Sequence, residues 1–345
     1  MTRPGGSRSP HASVAPGRWL LTGGAGYIGA HVAHALILGG HEVVVFDDLS
    51  TGQASRLPAG VPLVRGTVDD VDGLTRTLRR FHPVGIMHLA GKKSGPESVS
   101  EPLLYARENV GGMVALLEAA RATGVGRVVF SSSSAVYGAT EGDVDEDAPP
   151  APENPYGESK LYAERVLDAA SRAHGFGAIT LRYFNVVGAG APALRDGTGL
   201  ALVPAAIRAL RHGIPFDVYG DDYPTADGTC IRDYVDVQDV AEAHVRAAEA
   251  LERESTVATF NVGRGRGDSV LEVLDAIEAV TGRTLERRFA PRRPGDTARA
   301  VGRVDRIADA LGWRSRRGLA EMIESAWRAE VGSAVPVPQP DVVRR

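Results

Sequence analysis

The sequence predicts an α/β fold, in which a doubly wound parallel sheet is followed by a smaller α/β lobe toward the C-terminus. Short apolar segments alternate with helical patterns along the first half of the chain, and several segments are apolar throughout, as strands buried on both faces are. Strand, helix and strand in repetition produce a parallel sheet with helices on both faces. After about Gly188 the alternation ends and Gly, Pro and Asp cluster between helical stretches, which indicates the second lobe.

Six strands and four helices follow one another in the predicted sheet domain. The predicted strands are Trp19–Leu21, Glu42–Phe46, Pro62–Val64, Val84–Ala90, Arg127–Ser131 and Ala178–Tyr183. The predicted helices between them are Ile28–Leu38, Leu74–Phe81, Leu103–Ala122 and Tyr156–Ala173. The later part of the chain has a clear helix at Val203–His212 and helical stretches near 238–252, 269–281 and 303–312.

The element pattern divides the chain into four parts. A disordered lead-in at 1–17 lacks the apolar stretch of a signal peptide, although its arginines without acidic residues are also compatible with a transit peptide. A loose tail is expected at 331–345. Between them we expect a nucleotide-binding domain at 18–187, to which segments near 236–262 return, and a lobe at 188–330 that mainly binds substrate.

Composition excludes several classes of protein. The formal net charge of −4 lacks the basic excess of a nucleic-acid binder. The single cysteine, Cys230, permits neither an internal disulfide nor a cysteine-rich metal site, and it fits a reducing, cytoplasmic location. No apolar segment approaches the length of roughly 20 residues that spans a bilayer. We therefore expect a cytoplasmic protein without a metal, a nucleic-acid partner or a membrane association.

A glycine motif follows the first predicted strand. LLTGGAGYIG places Gly23, Gly26 and Gly29 where a strand turns into a helix, so that the backbone can approach a pyrophosphate and the helix N-terminus can bind it. Asp47 ends the second strand, 18 residues after Gly29, where a carboxylate would bind the ribose diol and repel the extra phosphate of NADP. The motif therefore predicts a Rossmann-type domain that binds NAD.

A tyrosine and a lysine lie one helical turn apart in the segment NPYGESK, so Tyr156 and Lys160 would share one helix face. A phenol with a pKa of about 10 is a poor base at neutral pH, but a nearby ammonium and a cationic nicotinamide ring would lower that pKa. Such a tyrosine can exchange a proton with a substrate hydroxyl while hydride moves to or from the cofactor. The segment FSSSSAVYG ends the fifth strand at the ligand crevice and would supply a hydroxyl partner. The alternative is an exposed surface pair, since this spacing is common.

Several motifs together resemble a known family. TGGAGYIG, HLAG, SSSSAVYG, NPYGESK and RYFN are similar to motifs of the extended short-chain dehydrogenase/reductase superfamily. GDDYPTADGTCIRDYVDV and FAPRRPGD are more specific, and they resemble the UDP-glucose 4-epimerase family. The resemblance extends from about Trp19 to Trp327, which is nearly the whole chain.

The resemblance implies an NAD-dependent epimerase that inverts C4 of a UDP-hexose. Tyr156 would take the proton of the sugar 4-hydroxyl as hydride leaves C4, and would return it after the 4-keto sugar has presented its other face. Ser133 matches the hydroxyl partner of this tyrosine in the family, and Lys160 would orient the ribose and tune Tyr156. A homodimer formed through the helices near 103–122 and 156–173 is also implied.

The resemblance implies two sets of binding residues as well. The positions matched to bound NAD are Gly23, Gly26, Tyr27, Ile28, Gly29, Asp47, Asp48, Leu89, Ala90, Lys93, Asn109, Tyr156, Lys160 and Tyr183. The positions matched to the UDP-sugar are Ser133, Asn185, Leu202, Tyr219, Arg232, Arg293, Asp296 and Ala300. The two arginines suit a diphosphate, because a guanidinium fork matches phosphate oxygens, although each alone is more often a surface charge. Tyr219 would either stack on uracil or fill a core.

The chain departs from the family pattern in four places. Thr67 stands where an aspartate often binds adenine, which predicts weaker binding of NAD. Gly95 and Pro96 alter a loop near the sugar, and Ala201 replaces a polar side chain on the substrate side. Ala300 stands where enzymes strict for glucose and galactose carry a tyrosine, so the freed volume would admit the acetamide group of UDP-GlcNAc or UDP-GalNAc.

Other interpretations stay open. A nucleotide-sugar dehydratase or reductase of the same superfamily would share the fold and the tyrosine–lysine pair, but dehydration needs an acid and a base where this chain has Ser134 and Ala135. A non-catalytic NAD-binding protein on the same fold is a further alternative. The natural epimer pair, and the choice between uracil and thymine as the base, are not determined by the sequence.

Overall fold

The computed structural model describes residues 16–140, 142–293 and 296–332. Its strands, in chain order, are β1 (Arg18–Thr22), β2 (Glu42–Asp47), β3 (Leu63–Arg65), β4 (Gly85–His88), β5 (Arg127–Ser133), β6 (Gly177–Tyr183), β7 (Asn185–Val187), β8 (Phe216–Tyr219), β9 (Ile231–Asp236), β10 (Val257–Val262), β11 (Gly267–Ser269), β12 (Arg287–Ala290) and β13 (Arg299–Ala300). Most of the predicted lead-in at 1–17 and of the predicted tail at 331–345 lies outside the described residues.

The helices lie between and after these strands. They are α1 (Tyr27–Leu38), α2 (Val71–Phe81), α3 (Gly95–Ser100), α4 (Pro102–Tyr105), α5 (Gly112–Thr123), α6 (Pro155–His174), α7 (Leu202–His212), α8 (Val237–Arg253), α9 (Val270–Thr281), α10 (Asp305–Leu311) and α11 (Leu319–Gly332). Short 3-10 turns occur at Ala54–Arg56, Ser134–Val136 and Pro192–Leu194. Within the described ranges, no helix combines the length and the apolar character that crossing a membrane requires.

Strands β1 to β6 and β10 form one parallel sheet with the order β10-β6-β5-β4-β1-β2-β3. From β3 to β6 this is the order of a doubly wound dinucleotide-binding sheet, in which the chain winds outward from β1 and then reverses at β4. The doubly wound parallel sheet that the sequence predicts is therefore confirmed. β10 pairs with β6, so a segment from the later part of the chain completes one edge of the sheet.

Apolar side chains cover both faces of this sheet. On one face, α1 and α8 pack around residues such as Leu21, Leu36 and Leu251. On the other face, α2, α5 and α6 pack around Leu20 and Leu116. Leu20 and Leu21 are neighbours in β1 and are both 0% exposed, although they point to opposite faces. Burial on both faces is the reason that the strands are continuously apolar instead of alternating.

The later part of the chain forms two small sheets and their helices. β9 pairs along its first half with β11 and β13, and along its second half with β7. β8 and β12 form a separate parallel pair. α7, α9 and α11 pack together around Val203, Ile277 and Met322. α11 ends at Gly332, so the first two residues of the predicted tail belong to a helix instead.

One predicted helix is interrupted. The pattern at 103–122 predicts a single helix, but the structure has α4, then a π-helical segment at Ala106–Gly111, then α5. Within that segment, the side-chain amide of Asn109 accepts the backbone N–H of Lys92 at 2.7 Å and donates to the Lys92 carbonyl at 3.1 Å and to Ser159 Oγ at 2.8 Å. These contacts stabilise the wider turn, and π-helical turns often occur at functional sites.

The segment at Gly95 is a helix and not the predicted loop. α3 begins at Gly95 after the N-cap Ser94, whose hydroxyl accepts the N–H of Glu97 at 3.2 Å. Pro96 stands in the first turn, where a missing N–H is tolerated. The Tyr105 hydroxyl donates to the Glu97 carboxylate at 2.7 Å, which ties α3 to α4.

Candidate active site

A cleft of about 540 Å³ opens at the carboxyl ends of β1 to β4, beside the point where the strand order reverses. Open α/β sheets bind their ligands at such points. Eleven of the residues predicted to hold a cofactor line this cleft, namely Gly23, Gly26, Tyr27, Ile28, Gly29, Asp47, Asp48, Leu89, Ala90, Lys93 and Tyr183. Thr67 also lines it.

The glycine loop between β1 and α1 has no room for side chains. Gly23 has a φ of 69°, and a Cβ there would lie 2.6 Å from the backbone N of Ala90. A Cβ at Gly29 would lie 2.2 Å from the carbonyl oxygen of Gly23. α1 starts at Tyr27, and its N-cap Gly26 has no side chain that could occupy the free amides of the first turn. These amides and the helix dipole suit an anionic group.

The carboxylate of Asp47 lies at the end of β2 and is almost completely buried. Its two oxygens accept the N–H groups of Ala25 at 2.9 Å and of Leu49 at 2.8 Å. Each oxygen has a further lone pair, so the carboxylate can still accept the hydroxyls of a ribose. The neighbouring Asp48 accepts both the N–H and the hydroxyl of Ser50, at 2.8 and 2.7 Å, which orders the turn after β2.

Asn109 and Lys160 lie directly behind the cleft lining. Gly91 is part of that lining, and a Cβ on it would lie 2.8 Å from Asn109 Oδ1 and 3.4 Å from Lys160 Nζ. Asn109 also holds the backbone of Lys92 from both sides. Asn109 therefore supports the loop that follows β4, and Lys160 lies beside that loop at Gly91.

The serines at the end of β5 alternate between two environments. Ser132 points toward α6 and donates to the carboxylate of Glu164. Ser131 and Ser133 lie on the other side of the strand, because successive side chains alternate. Ser133 Oγ accepts the backbone N–H of Ala135 at 3.1 Å, and this hydroxyl is close enough to Tyr156 to lower the pKa of its phenol. The pleat of the strand therefore brings Ser133, and not Ser132, to the tyrosine.

Tyr156 stands at the start of α6, where Asn154 is the N-cap and accepts the N–H of Gly157 at 3.0 Å. Its ring packs edge-on against Tyr105, with the centroids 6.3 Å apart. Burial raises the pKa of Tyr156, and the neighbouring Ser133 hydroxyl opposes this without reversing it. The lowered pKa predicted from the sequence is therefore not produced by the chain's own groups, and the phenol keeps its proton at neutral pH.

Lys160 is buried one turn further along α6. Its Nζ donates to the carbonyl of Ser131 at 3.0 Å and lies 5.1 Å from the centre of the Phe130 ring. Burial lowers the pKa of Lys160 to about 8, while the negative charge of Glu164 raises it. At neutral pH this ammonium is protonated and is anchored to the strand that carries Ser133.

Glu164 connects this lysine to a buried polar network. It forms an ion pair with Arg182, in which Nε lies 2.9 Å from Oε1 and Nη2 lies 2.6 Å from Oε2, and both side chains are 9% exposed. Arg182 also donates to the Tyr137 hydroxyl at 3.0 Å, which donates to Asn261 at 2.7 Å. Sequence reasoning missed Glu164, although its spacing of four residues from Lys160 places both on one helix face.

The second lobe brings most of the predicted nucleotide-sugar residues together. The guanidinium of Arg293 lies 3.8 Å from the centre of the Tyr219 ring, within cation–π distance. Arg232 Nη2 lies 3.7 Å from Asp296 Oδ1. Ala300 pairs with Arg232 where β13 adjoins β9. Two guanidinium groups, an aromatic ring and a carboxylate at one place suit a nucleoside diphosphate.

Two predicted substrate residues and one predicted cofactor residue have different surroundings. Asn185 is exposed at the start of β7. Leu202 begins α7 and packs at the edge of the apolar core of the second lobe. The hydroxyl of Tyr27 donates to the carbonyl of Gly188 at 2.6 Å, so it joins α1 to the start of the second lobe. The rest of Tyr27 still lines the cleft.

Residues 19–263 match the NAD dependent epimerase/dehydratase family. The chain belongs to this family. It is 46% identical to a UDP-glucose 4-epimerase of Azospirillum brasilense over 87% of this chain and 88% of that one, and 42% identical to one of Streptomyces lividans over 90% and 95%. The crystal structure of a Stenotrophomonas maltophila UDP-glucose-4-epimerase, with bound NAD and formylated UDP-arabinopyranose, is similar with a TM-score of 0.88 at 37% identity, over 92% of this chain and 99% of that chain.

The cleft of this epimerase/dehydratase family member also contains residues that the sequence did not single out. Arg56 lines it, and so does a loop that contributes Asp196, Gly197, Thr198 and Leu200. No motif marks these residues, because they reach the cleft from separate parts of the chain. Across the part of the chain that the structure describes, no group of three or more His, Cys, Asp or Glu side chains could hold a metal ion.

Proposed function

We propose that this chain is an NAD-dependent nucleotide-sugar 4-epimerase that inverts C4 of a UDP-hexose. The observation that carries the proposal is the meeting of Ser133, Tyr156 and Lys160 at the end of β5, next to a cleft that suits a dinucleotide. The named relatives support it, since they are UDP-glucose 4-epimerases that align with this chain over nearly all of its length.

The residues of the cleft fit NAD. Gly23 and Gly29 allow the tightly packed turn that brings the start of α1 to the cleft, where its first amides would bind a diphosphate. Asp47 would hold the adenosine ribose, and its charge disfavours the additional phosphate of NADP. When bound, NAD would accept a hydride from the sugar and return the same hydride, so that no external reductant is consumed.

The chain's own part in the reaction is the movement of one proton. Tyr156 would take the proton of the sugar 4-hydroxyl at its phenol oxygen and later return it. Ser133, whose hydroxyl lies beside Tyr156, would orient the sugar hydroxyl. Lys160, held on the carbonyl of Ser131, would orient the ribose of the cofactor. Arg232 and Arg293 would hold the diphosphate of the substrate while the sugar turns.

A direct test is to incubate the purified protein, without added cofactor, with UDP-galactose and separately with UDP-GalNAc. The products are then separated by ion-exchange chromatography. Appearance of the C4 epimer from either substrate supports the proposal, and no conversion of either substrate, even after NAD is supplied, contradicts it. A dehydrated product would identify a dehydratase instead, although the 3-10 turn at Ser134–Val136 contains no carboxyl group for that chemistry.

Ala300 is expected to determine whether N-acetylated sugars are accepted. The Ala300→Tyr variant should lower the turnover of UDP-GalNAc by at least about tenfold, because the phenol ring fills space that an acetamide needs. Turnover of UDP-galactose should change much less. Ala300→Ser is the matched control, since it adds one oxygen and should preserve both activities. If Ala300→Tyr leaves the turnover of UDP-GalNAc unchanged, this role of Ala300 is wrong.

We also propose that two copies of the chain form a homodimer through α5 and α6. Leu103, Val114 and Tyr162 support this, because they are large apolar or aromatic side chains exposed on three successive helices, α4, α5 and α6. Light scattering should then give the mass of two chains, and Leu103→Asp together with Tyr162→Asp should give the mass of one. A single-chain mass for the unchanged protein would contradict the homodimer.

The proposed location is the cytoplasm. Cys230 is a buried free cysteine, and burial raises the pKa of its thiol. A protonated thiol inside the protein is consistent with a reducing compartment and with no role in a disulfide.

A further inference from the structure

Arg56 carries a buried charge that the proposed reaction does not use. It ends the 3-10 turn after β2, lines the cleft and is only 6% exposed. Its Nη2 donates to the carbonyl of Arg195 at 3.1 Å, but its Nε has no hydrogen-bond partner among the described residues. A buried guanidinium donor without an acceptor is unfavourable. The position is therefore suited to an additional acceptor from a ligand in the cleft.

The turn that carries Arg56 contacts both the glycine loop and α1. In the same 3-10 turn region, the N–H of Gln53 donates to the carbonyl of Ala25 in the glycine loop at 2.9 Å. The carbonyl of Arg56 lies 3.1 Å from Nε2 of His34 on α1. Its positive charge also lowers the pKa of Tyr27, the first residue of α1, against the stronger effect of burial. Arg56 and the glycine loop thus line the same cleft, and a cation in that wall can bind phosphate oxygens.

Arg56 is also joined to a loop of the second lobe. Residues 195–200, here called the 195–200 loop, contribute Asp196, Gly197, Thr198 and Leu200 to the wall of the same cleft. Asp196 attracts the guanidinium of Arg56, and the carbonyl of Arg195 accepts its Nη2. The side chain of Arg195 in turn lies 3.1 Å from the Glu330 carboxylate on α11. One arginine of the first domain thus holds a loop that is anchored in the second lobe.

We propose that Arg56 is a cofactor-binding residue that donates a charge-assisted hydrogen bond to the diphosphate of NAD and holds the 195–200 loop against it. This role, which rests on the proposed NAD cofactor, assigns a phosphate contact to a residue outside every recognised motif of the chain. The diphosphate and the loop would share one cation, so loss of the Arg56 charge should weaken both contacts and speed the release of NAD. Slow release keeps the cofactor in place between the removal and the return of the hydride.

The test measures cofactor exchange and not sugar turnover. The purified holoprotein is loaded with radiolabelled NAD, and release of the label into excess unlabelled NAD is followed for the wild type, Arg56→Met and Arg56→Lys. Methionine preserves much of the aliphatic volume without the charge, and lysine preserves the charge without the fork. Arg79→Met is the matched control, because Arg79 is exposed on α2. ADP and adenosine are then compared as competitors, since only ADP carries the diphosphate.

We expect Arg56→Met to release NAD at least about tenfold faster, because a charge-assisted hydrogen bond is lost. Competition by ADP should weaken by a similar factor, whereas competition by adenosine and the release rate of Arg79→Met should not change. Release at the wild-type rate, or equal weakening of ADP and adenosine, would overturn the proposal. If Arg56→Met does not fold, Arg56→Lys provides the test. Release of NAD from Arg56→Lys at the wild-type rate, together with unchanged competition by ADP, would also overturn the proposal. Failure of epimerisation alone would leave these measurements unaffected.

Discussion

Replacing Tyr156 by phenylalanine is expected to lower kcat for epimerisation by about 10²–10⁴-fold, the usual contribution of a positioned proton-transfer group. Phenylalanine keeps the ring that packs against Tyr105 and removes the hydroxyl that meets Ser133. The N-cap at Asn154 is untouched, so α6 and the content of bound NAD should be preserved. Steady-state kinetics with UDP-galactose and quantification of NAD in the same preparation provide the measurement.

Tyr162→Phe is the matched control for this prediction. Tyr162 lies on the same helix and is 53% exposed, so its substitution should leave kcat within about twofold of the wild type. If Tyr156→Phe retained more than a tenth of the wild-type kcat, Tyr156 would not be the proton-transfer group. If neither the wild type nor the variant turned over a UDP-sugar while both bound it, the chain would be a binding protein.

Replacing Glu164 by glutamine is expected to lower the free energy of unfolding by about 3 kcal/mol or more, because it leaves the charge of Arg182 buried without a counter-charge. Both side chains of the pair are 9% exposed, so water cannot easily take over the lost interaction. Ser132 would also lose the charged acceptor of its hydrogen bond. Denaturant unfolding of the NAD-bound protein measures the difference.

The ion pair between Asp168 and Arg172 offers a control on the same helix. These residues form an i, i+4 pair on α6 whose side chains are exposed, so Asp168→Asn should cost at most about 1 kcal/mol. The double variant Glu164→Gln with Arg182→Met should recover part of the lost stability, because no buried charge is left unpaired. If Glu164→Gln and Asp168→Asn lowered the free energy of unfolding equally, the buried ion pair would not make the expected contribution to stability.

The same substitution also tests the link between Glu164 and Lys160. Burial lowers the pKa of Lys160 to about 8 and Glu164 opposes this, so Glu164→Gln should move the alkaline limb of the pH–kcat profile to lower pH. Between about pH 8 and the ordinary pKa of 10.5, the unfolded chain binds more protons at Lys160 than the folded chain, so the contribution of Lys160 to stability rises with pH in that window. An alkaline limb that does not move would contradict the link, because a purely structural defect would leave it in place.

The parallel sheet and the glycine loop could be predicted from sequence because both depend on local patterns. Continuous apolar segments indicate strands with two buried faces, and the spacing of Gly23, Gly29 and Asp47 describes a turn that must accommodate a nucleotide. The structure supplies the steric reason, since a Cβ at Gly29 would overlap the carbonyl of Gly23.

The interruption of the helix at 103–122 could not be predicted in this way. The π-helical segment is held by contacts of Asn109 with Lys92 and Ser159, which lie 17 residues before it and 50 residues after it. Nothing in the helical pattern around Asn109 records those partners, because helix periodicity describes which face is buried and not what a polar side chain on it will meet.

By itself the sequence determined the chemical groups of this protein: the glycine turn, the carboxylate of Asp47, and the pairing of Tyr156 with Lys160 on one helix face. Only the tertiary structure decided that Ser133 faces Tyr156, that Glu164 neutralises Arg182, and that Arg56 reaches the cleft. The physical reason is that motif spacing acts along the chain, whereas strand pleat, burial and charge pairing act through space between residues that are far apart in sequence.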